Sequence, residues 1–535
     1  MAVEHFTWAD KIAGELLKRG RKHIVHGMWT PSGYFHIGNA RGELLVPAMV
    51  ARAVKDAGGS ARQNFLADDF DDMDKVPAGI AVNAEKYNEF LGKPLRECPS
   101  PVKGYDNWAS YFTELALEDM EKFTEKPKFH SVYDEYRKGK YDKVIRIVLD
   151  NAGKVRDLWE IIAGTHKPEN WLPVMVVCEN CGRSATTKAV SWDGKKLGYV
   201  CSEAREYAKP CRHEGEIIPR KGNVKLPWRV HWPATWFVFG TTFESAGKDH
   251  FTKGGSVDTG HAFMREVFGK EPPYQVGTEF IQLAGQKISG SRGNVITLKD
   301  WLEVAEPELL RFMMISYQPS TAIDFDMHSG KLFLLEQRHH ESEAVYYGQK
   351  SLGEKRDSQL KREYMLSQVK KPAKQMPVQL DYSLLTMVVQ MYPHKSMGKI
   401  IELLHSLKAL KKDKLAKGDE QRISVMINRA RVWVEKYAPD DLKLKLNETA
   451  PLLNLTEDEI DAVFTLSKEL SKDWTEQDLQ SRIYEIAREE DVEPRRFFQI
   501  LYKILLNRES GPRLGPFIIV VGKEKIREIL DTLKK

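Results

Sequence analysis

A chain of 535 residues with 42% apolar side chains is too long for one ordinary core, so three or four domains are expected. Its 81 basic and 76 acidic residues leave a net charge of +5, which excludes a chain dominated by one sign of charge. No run approaches the ~18–20 apolar residues of a membrane-spanning helix, and the first residues lack the apolar segment of a signal peptide. A cytoplasmic protein without a membrane partner is predicted.

The first 75 residues contain two strand–loop–helix steps. The segment KHIVHGMW is a predicted strand; it runs into the turn sequence TPSG and then into an amphipathic helix. SARQNFLA is a second predicted strand, closed by the acidic DDFDDMDK. Because strand and helix signals alternate here and return after residue 226, the sequence predicts an α/β fold with a doubly wound parallel sheet of the Rossmann type.

Changes in composition along the chain set the predicted domain boundaries. A polar, proline-containing stretch at about 350–380 reads as a linker, and the charged, periodic remainder predicts an all-α C-terminal domain. The predicted parts are 1–165, the first half of the catalytic domain with a helical insertion; 166–225, a zinc-knuckle insertion; 226–330, the second half of the catalytic domain; 331–384, a connecting region with the linker; and 385–535, the helical domain.

The segment PSGYFHIGN, residues 31–39, lies where doubly wound sheets bind nucleotides, between a strand and the following helix. Gly38 permits close approach of a ligand, and a helix N-terminus attracts phosphate. His36 can donate a hydrogen bond to a phosphoryl oxygen. Alone, the segment is equally well explained as a glycine-rich turn with a solvated histidine.

A second segment, GQKISGSRGN at residues 285–294, places Lys287 among glycines and serines. A lysine on such a loop can close over a triphosphate as a flexible point charge. Taken alone, a basic surface hairpin is the commoner explanation of this pattern.

Together, in this order and about 250 residues apart, HIGN and KISGS resemble the HIGH and KMSKS signatures of class I aminoacyl-tRNA synthetases. The resemblance implies ATP binding by His36, Gly38, Asn39, Lys287 and Ser289, with His36 and Lys287 catalytic and Mg²⁺ required. It also implies the reaction: an amino acid carboxylate attacks the α-phosphorus of ATP, pyrophosphate leaves, and a tRNA hydroxyl then takes the aminoacyl group.

Longer stretches, among them TPSGYFHIGNAR, NVKLPWRVHWPATW and GPRLGPF, resemble the class I lysyl-tRNA synthetases across residues 30 to 517. The resemblance implies that L-lysine is charged onto tRNA(Lys) through a lysyl-adenylate, with an anticodon-reading role for residues 385–535. A monomer is expected. The implied amino acid contacts are Gly27, Thr30, Asp69, Trp228 and His250, and Asp249 is assigned to the nucleotide.

The acidic end of the second strand offers carboxylates from Asp68, Asp69 and Asp71, for which the alternative is a solvated acidic turn. Thr278 departs from the family pattern, which has a tyrosine lining the amino acid pocket. The connection from Phe280 to Lys287 is shortened, and HGMWTPSG carries one extra residue. A class I enzyme for another amino acid, a tRNA-binding paralogue without aminoacylation, and a generic nucleotidyltransferase therefore remain as alternatives.

Four of the five cysteines fall between residues 178 and 211. Cys178 and Cys181 have the spacing of half a zinc knuckle, and Cys201 and Cys211 would complete a closed tetrahedral site. His213 is an alternative fourth ligand, and reduced thiols without metal are the competing explanation. Cys98 has no adjacent histidine, so no metal is predicted near residues 95–110.

Overall fold

The computed structural model describes residues 6–533 except 78, 284, 288–294, 411–414 and 416, and gives no side chains for Gln286, Lys287 and Lys417. The chain forms two compact units. The first comprises Met1–Leu302, Glu306–Phe325 and Gly348–Pro372; the second comprises Glu303–Ala305, Asp326–Tyr347 and Ala373–Lys535.

A parallel sheet of five strands forms the centre of the first unit, in the order β10-β9-β1-β2-β3. Both strands predicted near the N-terminus are confirmed residue for residue as β1 and β2. The strands of the described residues are β1 Lys22–Trp29, β2 Ser60–Ala67, β3 Lys128–Ser131, β4 Met175–Val176, β5 Thr187–Trp192, β6 Leu197–Cys201, β7 Glu214–Ile217, β8 Val224–Lys225, β9 Phe243–Gly247, β10 Tyr274–Thr278, β11 Ile281–Leu283, β12 Gln286–Lys287 and β13 Ile323–Asp324.

Helices connect successive strands of this sheet, which confirms the predicted α/β class. The helices of the described residues are α1 Trp8–Arg19, α2 Ile37–Asn39, α3 Val46–Asp56, α4 Trp108–Phe123, α5 Val132–Arg137, α6 Asp142–Asp150, α7 Ala152–Ala163, α8 Trp228–Phe239, α9 Ser256–Glu266, α10 Leu298–Val304, α11 Pro307–Ser316, α12 Lys331–Tyr346, α13 Glu354–Ser367, α14 Tyr382–Met391, α15 Met397–Ser406, α16 Lys417–Lys436, α17 Glu457–Glu469, α18 Glu476–Glu489, α19 Pro494–Leu506, α20 Leu514–Val521 and α21 Lys523–Leu530.

The strand order reverses between β1 and β9: from β1 the chain proceeds to β2 and β3 on one side, then returns to β9 and β10 on the other. The crevice beyond the carboxyl ends of strands at such a switch point is where doubly wound sheets bind ligands. The segment after β1 therefore occupies the position that its sequence predicted for a nucleotide site.

The cysteine-rich segment forms two small antiparallel sheets, one of β5, β6 and β7 and one of β4 and β8. Several of its strands are only two to five residues long. Strands this short bury little apolar surface, so a further source of cohesion is expected.

The segment predicted as a linker at about 350–380 contains helix α13, so the linker prediction was wrong for Glu354–Ser367. Polar composition misled because only three apolar side chains of this helix are buried, Leu360, Tyr364 and Leu366. Arg362 adds an ion pair with Asp10 at 2.7 Å.

The second unit is helical, and its described residues contain no strand. Its core is built from apolar residues at helical spacing, such as Ile423, Ile427 and Ala430 of α16, all fully buried. Among the described helices of the whole chain, none combines the length and apolarity needed to cross a bilayer.

Candidate active site

His36 begins the helix that follows β1. Its Nδ1 accepts hydrogen bonds from the backbone N–H groups of Gly38 at 3.1 Å and Asn39 at 3.3 Å, while the Asn39 side chain accepts one from the His36 N–H. A neutral imidazole that accepts at Nδ1 carries its proton on Nε2. A Cβ at Gly38 would come within 2.9 Å of the ring, so this position requires glycine. The ring is thereby fixed as a donor through Nε2.

The second predicted nucleotide segment is anchored at both ends. Lys287 ends β12, which pairs with β11 after a connection of only two residues, consistent with the shortened loop. Residues 288–294, including Ser289, and the Lys287 side chain lie outside what the structure describes. Where the chain is described again, Ile37 donates to the Ile296 carbonyl at 2.9 Å, and His36 and Thr297 form an antiparallel bridge. The chain that follows the second segment, at Ile296 and Thr297, therefore lies against His36 and Ile37.

Arg41 joins the same helix to the chain around β11. Its buried guanidinium donates to the backbone carbonyls of Glu279 at 2.9 Å and Thr321 at 2.8 Å. Burial lowers the pKa of Arg41 to about 10, so the side chain stays cationic at neutral pH. No local sequence pattern indicates Arg41, because its partners are carbonyl groups more than 200 residues away.

The helix after His36 contains a π-helical turn, Ala40–Leu45, between α2 and α3. Gly27 of β1 packs against this turn so closely that a Cβ there would lie 1.6 Å from the Glu43 carbonyl oxygen. Gly27 is therefore required by packing of β1 against the helix. Thr278, the position of the missing tyrosine, donates to the Ala246 carbonyl at 3.2 Å and lies beside Gly42.

Glu43 lies in the π-helical turn and was also missed. Its Oε2 is buried and has no hydrogen-bond partner among the described residues, although the residue as a whole is only half-buried. Burial, with a smaller contribution from nearby Glu244, raises the pKa of Glu43 to about 8. The sequence signal was an acid on the sheet-facing side of an otherwise apolar helix.

Three aromatic side chains, Trp228, Trp232 and His250, form an aromatic wall near the carboxylates of Glu43 and Glu244. The rings of Trp228 and Trp232 stack with centroids 5.2 Å apart, and His250 lies 5.6 Å from Trp228. Glu244 accepts a hydrogen bond from Trp232 Nε1 at 2.9 Å and another from Trp236, and burial raises its pKa to about 7. The structure thus brings the predicted Trp228 and His250 together with acids that the sequence did not indicate.

The remaining predicted contacts differ in their accessibility. Thr30 follows β1 directly and is half-buried, and Asp249 is exposed on a short 3₁₀ helix, Lys248–Phe251. Both oxygens of Asp69 are bound within the protein, by the Ser131 hydroxyl at 2.5 Å and the Tyr133 N–H at 2.8 Å. Asp69 therefore holds the end of β2 against α5, and both of its oxygens take part in contacts within the protein.

The acidic turn after β2 is not solvated throughout. Asp68 and Asp69 are each 2% exposed, and the buried Lys225 ammonium lies 3.3 Å from Asp68 and 3.0 Å from Asp71. The alternative of a solvated turn was therefore wrong for the first two acids. Because Lys225 belongs to β8, the ion pairs tie the cysteine-rich segment to the carboxyl end of β2.

The four clustered cysteines converge as predicted. Their sulfur atoms all lie within 4.8 Å of one another, with Cys178 to Cys211 at 3.6 Å and Cys181 to Cys201 at 3.9 Å. Tetrahedral zinc with bonds of about 2.3 Å places its sulfur ligands about 3.8 Å apart, so the sulfur atoms fit the ion. His213 is not part of the group.

Comparisons with known proteins show the family of the chain. A model of the family described as tRNA synthetases class I (K) matches residues 6–370. The lysine–tRNA ligase of Pyrococcus horikoshii is 36% identical over 523 residues, 96% of each chain, and that of Pyrococcus furiosus is 35% identical over 530 residues, 97% of this chain and 98% of the relative. A glutamate–tRNA ligase from Elizabethkingia meningosepticum, 13% identical, covers 96% of this chain and 100% of that chain with a TM-score of 0.38. From the family match and the near full-length identity, the chain belongs to the class I tRNA synthetases (K).

Proposed function

We propose that this protein charges tRNA(Lys) with L-lysine at the expense of ATP. The observation that supports the proposal is the packing of Ile296 and Thr297, which follow the second segment, against His36 and Ile37 at the switch point of the sheet. The unpartnered Oε2 of Glu43 and the exposed ring of Trp228 add to it. Relatives that span nearly the whole chain are named lysine–tRNA ligases. Family membership supplies the reaction class, and the pocket supplies the argument for a cationic amino acid.

The nucleotide binds across the carboxyl ends of β1 and β9 in this proposal. His36 Nε2–H and the Lys287 ammonium neutralise charge on the phosphates, Gly38 provides room, and Asn39 holds His36 through its backbone N–H. We assign Ser289, two residues after Lys287 in the sequence, to the phosphates as well, and Asp249 to the ribose. Mg²⁺ arrives bound to ATP and supplies further positive charge to the leaving group.

The first step then needs no covalent nucleophile from the protein. A carboxylate oxygen of lysine bonds to the α-phosphorus, the bond from that phosphorus to the bridging oxygen breaks, and pyrophosphate leaves with its electron pair. His36 and Lys287 stabilise the charge that grows on the leaving group. In the second step the terminal 2′-hydroxyl of tRNA attacks the carbonyl carbon, and AMP leaves as the hydroxyl loses its proton.

Recognition of lysine follows from the chemistry of the pocket. The ring of Trp228, which is 38% exposed and backed by the buried Trp232, suits four methylene groups, and the unpartnered Oε2 of Glu43 suits the terminal ammonium. Near neutral pH the carboxyl of Glu43 is largely protonated in the free protein because its pKa is about 8. A bound ammonium would restore the ionised form, whereas a neutral or acidic side chain would leave the carboxyl unpaired. Gly27, Thr30 and His250 complete this pocket, with Asp69 supporting it.

We further propose one structural Zn²⁺ on Cys178, Cys181, Cys201 and Cys211, and a monomer whose helical residues 385–535 read the anticodon. Zinc in a closed set of four thiolates has no open position, so its contribution is cohesion of the short strands around it. Among the described residues the cysteines are the one group of three or more potential metal ligands close enough together to share an ion.

The test is pyrophosphate exchange with a panel of twenty amino acids, with tRNA(Lys) present. Lysine alone should support exchange, and Glu43→Gln should raise the KM for lysine about 10- to 100-fold while leaving the KM for ATP unchanged. Glu43→Asp, which keeps the charge on a shorter side chain, is the matched variant and should lose less. Exchange with another amino acid and none with lysine would overturn the lysine proposal and leave the family assignment intact.

A further inference from the structure

Arg41 lies in the π-helical turn after His36, and its guanidinium contacts two separate parts of the chain. Nη1 donates to the Glu279 carbonyl, two residues before β11 begins. Nη2 donates to three carbonyls shortly before β13, those of Gln318 at 3.0 Å, Pro319 at 3.2 Å and Thr321 at 2.8 Å. Because the side chain is 1% exposed, its donors serve these carbonyls and are not presented to a substrate.

The two parts of the chain that Arg41 contacts lead into one small sheet of β11, β12 and β13. In this sheet β11 lies in the middle, parallel to β13 and antiparallel to β12, and Gln282 of β11 is opposite Lys287 of β12. The Glu279 N–H also donates to the Pro319 carbonyl at 2.8 Å, which joins the two parts to each other. Lys287 therefore belongs to a sheet that Arg41 fixes where β11 and β13 begin.

The same helix also holds the chain beyond the second nucleotide segment. Ile37 donates to the Ile296 carbonyl, and His36 forms the bridge with Thr297. Four residues separate Ile37 from Arg41, about 6 Å along a helix. The chain that contains Lys287 thus leaves this helix and returns to it within about one turn, next to His36. A change at Arg41 would move the backbone of Lys287 relative to His36.

A buried arginine bonded to carbonyls can also serve the fold alone, and Arg311 provides that comparison. Its guanidinium is 3% exposed and donates to three carbonyls, those of Ser367 at 2.8 Å, Phe123 at 3.0 Å and Leu366 at 2.7 Å. Burial lowers the pKa of Arg41 and of Arg311 alike to about 10. The two side chains share chemistry and burial, but the partners of Arg311 lie outside both nucleotide segments.

We propose that Arg41 is a positioning residue for the reaction: by fixing the sheet of β11, β12 and β13 against the helix that begins at His36, it sets where Lys287 meets the phosphates. This inference rests on the proposed function, in which His36 and Lys287 act on one triphosphate. A catalytic group misplaced by about 1 Å can cost about 10²-fold in rate. A lysine at position 41 would keep the charge, but its donors share one atom and cannot span two chain segments as a planar guanidinium does.

The test is a double-mutant cycle in the full chain with Arg41→Lys, Lys287→Ala and the two combined. Pyrophosphate exchange is measured with lysine, ATP and tRNA(Lys). Arg41→Lys alone should lower kcat about 10- to 100-fold and leave the KM for lysine unchanged. In the Lys287→Ala protein the same change should lower kcat less than about twofold further, because the group that Arg41 positions has already been removed.

Arg311→Lys is the matched control. It should lower the urea midpoint about as much as Arg41→Lys does, while kcat stays within about twofold with and without Lys287→Ala. If Arg41→Lys does not fold, Arg41→Gln takes its place, because glutamine keeps two N–H donors without a buried charge. The same coupling to Lys287→Ala is expected of it.

Additive losses from Arg41→Lys and Lys287→Ala, or an equal loss of kcat in Arg311→Lys, would overturn the positioning role alone. An unchanged kcat in Lys287→Ala would overturn both this role and the proposed role of Lys287. If an amino acid other than lysine supports exchange, the cycle is run with that amino acid. The proposed substrate can then fail while the positioning role is still decided.

Discussion

The ring of His36 caps its helix through Nδ1, so the donor for the proposed nucleotide contact is Nε2–H. Asparagine is a good helix cap but has no donor at the Nε2 position. We therefore expect His36→Asn and His36→Ala both to lower kcat/KM for aminoacylation about 10²- to 10³-fold. Only the alanine variant should lose stability, by about 1 kcal/mol. Aminoacylation kinetics and thermal unfolding measure the two effects, and an active asparagine variant would contradict the role of Nε2.

Glu43 makes stability depend on pH in a defined direction. Its pKa is about 8 in the folded protein and 4.5 ordinarily, so between these values the folded state holds a proton that the unfolded chain has released. The free energy of unfolding therefore falls as pH rises from 4.5 to 8. If Glu43→Gln matches the unmodified protein in stability near pH 4.5, it should be the more stable of the two at pH 8, by up to about 4 kcal/mol for the full pKa shift.

Urea unfolding at the two pH values, without lysine, measures this difference. Glu15→Gln, which alters an exposed acid of α1, provides the control and should leave the pH profile unchanged. A Glu43→Gln protein that is destabilised equally at both values would show that the carboxyl is ionised in the free protein.

The side chains that could be identified from the sequence and those that could not differ in how far along the chain their partners lie. His36 and Gly38 lie within a local motif of three residues, which can be recognised in the sequence. The significance of Glu43 arises from burial by β1 and from Glu244, two hundred residues later, and that of Arg41 from carbonyls equally distant. Asp69 was identified by its position at the end of β2, but its hydrogen bonds to Ser131 and Tyr133 depend on where β3 pairs.

At the scale of elements, the stability of the cysteine-rich strands should depend on bound metal. We expect about one Zn²⁺ per chain, lost in Cys178→Ser, because the short strands around the site have little core of their own. Metal analysis and a melting curve before and after chelation measure this. Cys98→Ser, a buried thiol outside the cluster, should keep both zinc and melting temperature. Equal zinc in the two variants would contradict the assignment.

The strands of the sheet were easier to predict than α13. β1 and β2 each mix apolar and polar residues, and both are bounded by glycine, proline or acidic clusters, so the residue pattern and the turn-forming residues at the ends indicate the same segments. Helix α13 has a mostly polar sequence, and its order comes from Leu360, Tyr364 and the Arg362 ion pair to Asp10. Amino-acid composition does not reveal contacts of this kind, because they form only in the folded chain.

The molecule as a whole combines an α/β unit that carries the nucleotide segments with a second unit that is helical in its described part. If the helical unit reads the anticodon, then tRNA(Lys) with an altered anticodon should show a KM raised at least tenfold, or about 1.4 kcal/mol. The KM values for ATP and lysine should not change. Steady-state aminoacylation measures all three, and an unchanged KM for the altered tRNA would assign recognition elsewhere.

The π-helical turn between α2 and α3 has a consequence for how this site can evolve. An extra residue in an ordinary α-helix would rotate everything beyond it by about 100°, and would swing the apolar side of α3 away from the sheet. A wide turn absorbs the additional residue where it occurs. The helix can thus gain or lose a residue next to the proposed substrate site without disturbing the packing of α3. Single insertions or deletions could therefore change the pocket while the protein still folds.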